Sequence, residues 1–249
     1  MKKIYNARIV SNLRAVDNIF KLVVEIDGHV SARPGQFVQL KLPSEEFTLR
    51  RPLGIADIEG DRLTMFYRIV GRGTQFLSTL DEGTALDLIA PLGNGFSIVD
   101  GEKILLVGGG VGLAPLLYSA RSSNDADILI GGKTASEAEF WSREFDGLVD
   151  QKFITTDDGS AGVKGFVSDL LPDILSKKNY EAVLVCGPPI MMKNVAALVA
   201  QKNIRCEVSM ESRMACGLGA CLSCSIDTVD GRKKVCKDGP VFDATKIIW

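Results

Sequence analysis

Four cysteines near the end of this 249-residue chain carry its clearest chemical spacing. Cys216, Cys221 and Cys224 read C-x4-C-x2-C, and Cys236 follows at a distance. This is the plant-type spacing for a [2Fe–2S] cluster, which four thiolates hold. Gly217 and Gly219 fill the first interval, where a loop must bring backbone N–H groups toward sulfur without side chains in the way. A structural zinc site would also take four cysteines, although zinc sites more often pair two short C-x2-C knuckles. Disulfides would fit the even count of six but not a reducing compartment. The remaining two cysteines, Cys186 and Cys206, lie outside the cluster spacing.

A second chemical signal is Val107-Gly108-Gly109-Gly110-Val111-Gly112-Leu113-Ala114-Pro115, placed after an apolar strand and opening a helix. Small residues there let a pyrophosphate approach the positive end of a helix, although such turns are often simply tight. The run departs from the usual dinucleotide fingerprint, and no acidic residue is placed for a ribose hydroxyl, so NADH and NADPH both remain open. A third signal is Arg50-Arg51-Pro52-Leu53-Gly54 with its companion Gly71-Arg72-Gly73-Thr74. An arginine can clamp a pyrophosphate, and a short helix opening at Gly73 and Thr74 could take further phosphate oxygens. A solvated basic pair and a helix cap explain the same residues more simply.

Other chemistry is disfavoured by what the chain lacks. Its one histidine, His29, falls in a predicted turn and reads as solvated surface. That argues against His-ligated metals and a Ser-His-Asp mechanism. Lys and Arg number 29 against 31 acidic residues, a net charge of −2, which is no nucleic-acid footprint. No secretory pattern develops in the first residues, and the longest uncharged run, 104–120, is too short and glycine-rich for a membrane span. A cytoplasmic protein is expected.

The elements that must position these residues change character twice. Residues 1–100 show short alternating strands, such as Phe20–Ile26, Phe37–Leu42 and Leu63–Val70, between turn signals. That spacing predicts a small antiparallel barrel. Residues 101–205 alternate apolar strands with amphipathic stretches near Ala135–Phe145, Phe166–Leu175 and Ile190–Gln201. This predicts an α/β domain with a parallel sheet. Residues 206–249 have no long apolar period and need a metal centre to hold them.

Together these motifs resemble the ferredoxin-NADP reductase superfamily, as does Cys186-Gly187-Pro188-Pro189-Ile190-Met191. More narrowly, Glu211-Ser212-Arg213-Met214-Ala215-Cys216 and Val235-Cys236-Lys237-Asp238-Gly239-Pro240 are similar to electron-transfer subunits of two-subunit, NAD-dependent dihydroorotate dehydrogenases. So are Pro91–Phe96 and Thr156–Ser160. The resemblance implies an FAD-binding β-barrel, a Rossmann-like NAD-binding domain and a small [2Fe–2S] module. It places Arg51, Pro52, Leu53 and Gly54 along the flavin and its phosphates, with Tyr67, Arg68 and Ile69 on the adjacent strand. Gly73 and Thr74 would hold the pyrophosphate. Gly110, Gly112, Gly187 and Pro188 would face the nicotinamide nucleotide, with Cys186 either a neighbour of that ring or a buried thiol ending a strand. Cys216, Cys221, Cys224 and Cys236 would ligate the cluster. Related chains usually carry Ser or Thr where Gly54 stands, so the hydroxyl near flavin N5 is missing.

The resemblance further implies electron transfer between NAD(H) and an FMN-containing catalytic dihydroorotate dehydrogenase subunit, in a heterotetramer serving pyrimidine synthesis. A paralogous NAD(P)H:ferredoxin or hydrogenase-type diaphorase subunit is the alternative. A cluster-bearing regulator is a third reading. No membrane or nucleic-acid partner is expected.

Overall fold

The computed structural model describes residues 2–249, and every element count is of these residues. Six strands come first: β1 (Lys3–Val16), β2 (Ile19–Ile26), β3 (Phe37–Lys41), β4 (Arg51–Glu59), β5 (Arg62–Arg68) and β6 (Ala85–Leu92). They pair antiparallel in the order β1-β2-β5-β4-β3-β6 and close into a barrel. Alternation of side chains along each strand decides what fills it. Leu22, Val24, Val38, Leu40, Leu53, Ile55, Leu63 and Met65 pack together inside. Phe37 and Phe66 turn outward and join the cores of the following domain. The short helix α1 (Arg72–Leu77) sends Leu77 into the barrel core.

The chain then alternates strand and helix: β7 (Ile104–Gly109), α2 (Ala114–Arg121), β8 (Ala126–Gly132), α3 (Ala135–Glu144), β9 (Gln151–Thr156), β10 (Val163–Lys164), α4 (Val167–Lys177), β11 (Ala182–Cys186), α5 (Pro189–Ala200) and β12 (Arg205–Ser209). The central strands β7, β8 and β11 are buried on both faces, so each contributes to two cores. Ile104 and Leu106 meet Leu116, Leu117 and Trp141 of α2 and α3, together with Phe66 of the barrel. Leu105 and Val107 meet Leu171 and Ile174 of α4 and Val195 and Val199 of α5. Each such buried side chain contributes about 1.5–3 kcal/mol. The apolar runs around 104–107, 128–130 and 182–185 therefore read correctly as parallel strands.

The last segment holds the hairpin β13 (Ser225–Thr228) and β14 (Gly231–Lys234), a helical turn α6 (Val235–Asp238) and β15 (Val241–Asp243). It does not stand apart. β15 pairs antiparallel with β12 and extends the sheet to the order β10-β9-β8-β7-β11-β12-β15. β12 itself runs parallel to β11, from Ala182 opposite Arg205 to Cys186 opposite Ser209. The division expected at 206 falls inside this strand, whose buried Cys206 and Val208 belong to the sheet's core.

Asn94, in the loop after β6, ties barrel to cysteine segment. Its Nδ2 donates to Val241 O at 2.8 Å, its Oδ1 accepts from Val241 N at 3.0 Å, and its own amide donates to Gly239 O at 2.7 Å. Asn94→Ala removes these side-chain bonds together with a third, from Nδ2 to Asp238 O at 3.3 Å, and is expected to cost about 2 kcal/mol. Hydrogen exchange at the Val241 amide should quicken while β7 amides keep their protection; unchanged exchange at Val241 would contradict this role.

Candidate functional site

At the C-terminal edge of the sheet the strand order reverses between β7 and β11. Ligands of open α/β sheets bind outside the strand ends at such a switch point. A cavity of about 540 Å3 opens there, lined by Gly109 at the end of β7, by Gly110 and Gly112 just after it, and by Gly187 and Pro188 after β11. Gly112 has no alternative, because a Cβ there would lie 2.7 Å from the Cys186 carbonyl oxygen. The barrel reaches this cavity through Arg68, whose Nη2 donates to Glu137 Oε1 at 2.7 Å. The Glu137 side chain is 3% exposed, and its second oxygen accepts from the Lys133 amide at 3.1 Å. A carboxylate so buried is tolerable only when paired and hydrogen-bonded.

A second cavity, of about 260 Å3, lies on the other side of a common wall. Arg68, Val70, Val111 and Glu211 line both. The barrel supplies Pro52, Gly54, Tyr67 and Thr74; Pro115, Cys186 and Ser209 face them from the sheet side. Leu53 reaches the edge of this cavity but packs into the barrel core. Tyr67 also turns inward, donating from its hydroxyl to Asn12 Oδ1 at 2.8 Å. Burial pushes its phenol pKa up, and the Asn12 bond offsets this only in part. The Thr74 hydroxyl accepts from the amides of Val70 at 3.0 Å and Gly71 at 3.3 Å. Gly54 faces Pro115, whose Cγ would lie 2.9 Å from an added Cβ. A serine or threonine there would need Pro115 to move.

Three expected residues fall outside the cavities. Arg51 and Gly73 lie against each other, with an added Cβ at Gly73 only 2.7 Å from Arg51 Cζ. Ile69 lines neither cavity and is held through its amide to Asn18 O at 2.9 Å. Cys186 is buried and lines the second cavity but not the first. Its thiol is pushed up by burial first and then by the Glu211 charge, with Ser209 acting in the opposite sense. Glu211 itself opens onto both cavities, yet enough protein surrounds it that desolvation raises its carboxyl pKa.

The four spaced cysteines come together as two pairs. Cys216 and Cys221 sulfurs are 3.3 Å apart, and the amides of Leu218 and Cys221 each point at Cys216 Sγ from 3.4 Å. Those N–H groups, Cys221's foremost, pull the Cys216 thiol down to about 6. Cys224 and Cys236 are buried next to each other; burial first, then the neighbouring Cys224, pushes Cys236 up to about 12. Among the described residues no three metal-ligating side chains converge as ligands of one ion. A tetrahedral zinc site requires such convergence, whereas a two-iron cluster takes two thiolates per iron. The donor set and its pairing fit the cluster.

Comparison with known proteins agrees. Residues 211–248 match the iron–sulfur cluster binding domain of dihydroorotate dehydrogenase B. The dihydroorotate dehydrogenase B (NAD(+)) electron transfer subunit of Clostridium acetobutylicum is 39% identical over 100% of this chain and 99% of its own length. That of Caldanaerobacter subterraneus subsp. tengcongensis is 36% identical over 98% of each. The chain belongs to this family of electron transfer subunits. Among solved structures, an NADH-dependent reduced ferredoxin-NADP oxidoreductase contains a chain with TM-score 0.84 and 30% identity, covering 97% of this chain and 89% of that one. A ferredoxin NADP+ reductase from Neisseria gonorrhoeae with bound FAD and NADP shares the fold, at TM-score 0.67 and 16% identity over 81% of this chain and 92% of its own.

Within this family of electron transfer subunits, the motifs place Arg68 in the shared wall but give no role to Glu211 in that wall or to Glu137 beside it. Glu211 was visible only as part of the cysteine motif, and Glu137 only as one charge on an amphipathic helix. No local signal joins Glu137 to Arg68, 69 residues away.

The thiols themselves give a test. In the metal-free chain near neutral pH, iodoacetamide is expected to modify Cys216 first. Its rate should fall about tenfold per pH unit once the pH drops below the thiol pKa of about 6, because the thiolate is the nucleophile. Cys186, and Cys206 with its thiol pushed up to about 12, should resist until denaturant is added. Peptide mapping that found Cys206 labelled before Cys216 would contradict the structure.

Proposed function

We propose that this chain is the electron-transfer subunit of an NAD-dependent dihydroorotate dehydrogenase, with NAD(H) in the first cavity, FAD in the second and a [2Fe–2S] cluster on the four cysteines. The observation that carries this reading is adjacency. The two cavities share a wall, and Met214, which lines the second, stands two residues before Cys216. A bound flavin exchanges an electron pair with a dinucleotide and single electrons with a cluster, which is the conversion such a chain has to supply.

The chain's own residues hold and orient. Gly110, Gly112 and Gly187 would take the dinucleotide against backbone N–H groups, with Pro188 beside them as a wall that offers no donor. Pro52, Gly54 and Arg68 would line the flavin, with Leu53, Tyr67 and Ile69 supporting the strand from behind. Arg51, Gly73 and Thr74 would hold its pyrophosphate. Cys186, kept as a neutral thiol by burial, borders the flavin site without offering a charge. Cys216 and Cys221 would bind one iron, Cys224 and Cys236 the other. His29 is exposed and lines neither cavity, so no imidazole is placed for proton transfer.

The partner we infer is an FMN-containing catalytic subunit, joined with this chain in a heterotetramer, to which dihydroorotate chemistry is left. One observation favours a second reading, a paralogous diaphorase subunit: the 30% identity to a chain of an NADH-dependent ferredoxin-NADP oxidoreductase over nearly the whole length.

The loaded chain should show flavin absorption that bleaches on adding NADH, and should not oxidise dihydroorotate with NAD unless the catalytic subunit is present. Turnover of dihydroorotate by the isolated chain would sink the assignment. Failure of a fully loaded flavin to bleach would favour a regulator. Cys221→Ser is expected to abolish the cluster's EPR signal while leaving NADH-driven ferricyanide reduction within about threefold of wild type, since that path needs only the flavin.

A further inference from the structure

We propose that the side-chain amide of Gln39, buried between the second cavity and the cysteine loop, donates a hydrogen bond to the Cys216 sulfur in the loaded protein and thereby raises the cluster's potential. The inference rests on the flavin and cluster assignments above.

Gln39 lies on β3, where Val38 and Leu40 turn into the barrel core. Alternation therefore places Gln39 on the outer face with Phe37. In register it stands opposite Pro52 of β4 on one side and Ile89 of β6 on the other. Pro52 lines the second cavity, so Gln39 is one strand removed from the flavin site. Its far end touches the cysteine segment. Nε2 meets the Met214 thioether at 3.5 Å, and a Cβ on Gly217 would lie 2.6 Å from Gln39 Cγ. Gly217 is glycine for two reasons, its φ of +66° and the close approach of this side chain.

The amide is incompletely paired. Gln39 is 0% exposed, its Oε1 has no partner, and its only side-chain bond goes to a thioether, a weak acceptor. Buried polar groups are normally satisfied, so an orphan of this kind marks a place where another group completes the bonding. A half turn exchanges O and N, so either atom can face the loop. Cys216, next in chain to Gly217, is the nearest of the four ligand positions in sequence to both Gln39 contacts. Its iron-bound thiolate would accept from an N–H far better than Met214 does. A donor on a ligand sulfur stabilises the extra negative charge of the reduced cluster and raises its potential.

Gln39→Met keeps length and burial and removes the donor. An EPR-monitored redox titration of the loaded chain should find the cluster midpoint lower by about 59 mV, a tenfold change in the one-electron equilibrium constant. Iron content and flavin midpoint should not move. A midpoint within twofold of wild type in that constant, at full cluster occupancy, would overturn the inference by showing that Gln39 only packs. Wild-type protein with 15N in its glutamine side-chain amides provides a second measurement. Pulsed EPR of the reduced cluster should detect a 15N coupling, and its absence overturns the inference even if the Met variant takes up no cluster. A wild-type chain that binds no cluster, or whose flavin ignores NADH, would instead overturn the site assignments and this inference with them.

Discussion

The two-residue alternation of β3 and β4 is the constraint on which the site depends. Val38, Leu40, Leu53 and Ile55 fill the barrel, and that burial fixes the register of both strands. The residues between them, Phe37, Gln39, Pro52 and Gly54, are then forced onto one outer surface, paired across the ladder as Phe37–Gly54 and Gln39–Pro52. A slip of one residue would put apolar side chains where cofactors are to lie and polar ones into the barrel. Position along the strand thus decides which residue meets the second cavity and which meets the cysteine loop. Pro52 and Gly54 face the second cavity, and Gln39 faces the cysteine loop. The barrel core contributes no chemistry, yet it decides which residues can contribute.

A second dependence runs through the cysteine segment. Cys224, Val235 and Cys236 belong to the same core cluster as Phe37 and Leu92 of the barrel and Val183, Val185 and Val208 of the sheet. A segment of this size buries too little surface to fold on its own apolar content. Here it borrows a core, adds β15 to the edge of the sheet and is held to the barrel by Asn94. Ordering of the inner cysteine pair is therefore linked to packing of both larger domains. The outer pair, half-exposed on a glycine loop, depends more on local backbone donors.

What could be read from sequence was whatever is local in the chain. Cys216, Cys221 and Cys224 announce a cluster because their spacing within one loop is itself the geometry. The apolar runs near 104–107 and 182–185 announce a parallel sheet because burial on both faces removes alternation. Gly110 and Gly112 could be placed because a strand-to-helix turn is a short-range feature. The unreadable part is tertiary. Arg68 meets Glu137 only once barrel and sheet pack, and Gln39 meets Gly217 across 178 positions of chain. The division expected at 206 runs through β12 for the same reason. The composition changes there, but the sheet uses Cys206 and Val208 as ordinary core residues before the cysteine loop begins.

The wall between the cavities poses an electrostatic problem that the structure also answers. The first cavity is bordered by two cations, Arg68 and Lys133, and three carboxylates, Glu137, Asp157 and Glu211. With all five charged, an entering pyrophosphate would meet a net negative surface in a partly desolvated site, where Coulomb terms are strong. Two features oppose this. Desolvation by the surrounding protein raises the Glu211 carboxyl pKa, and Glu137 is already matched by Arg68. That pairing leaves Arg68 beside Gly110, where an added Cβ would lie 2.9 Å from its Nη2. The guanidinium is thus fixed at the turn whose backbone N–H groups would meet the anion, and it does so from the barrel side. One ion pair therefore both joins the domains and neutralises Glu137, a carboxylate that could not stay so deeply buried beside this cavity without a partner.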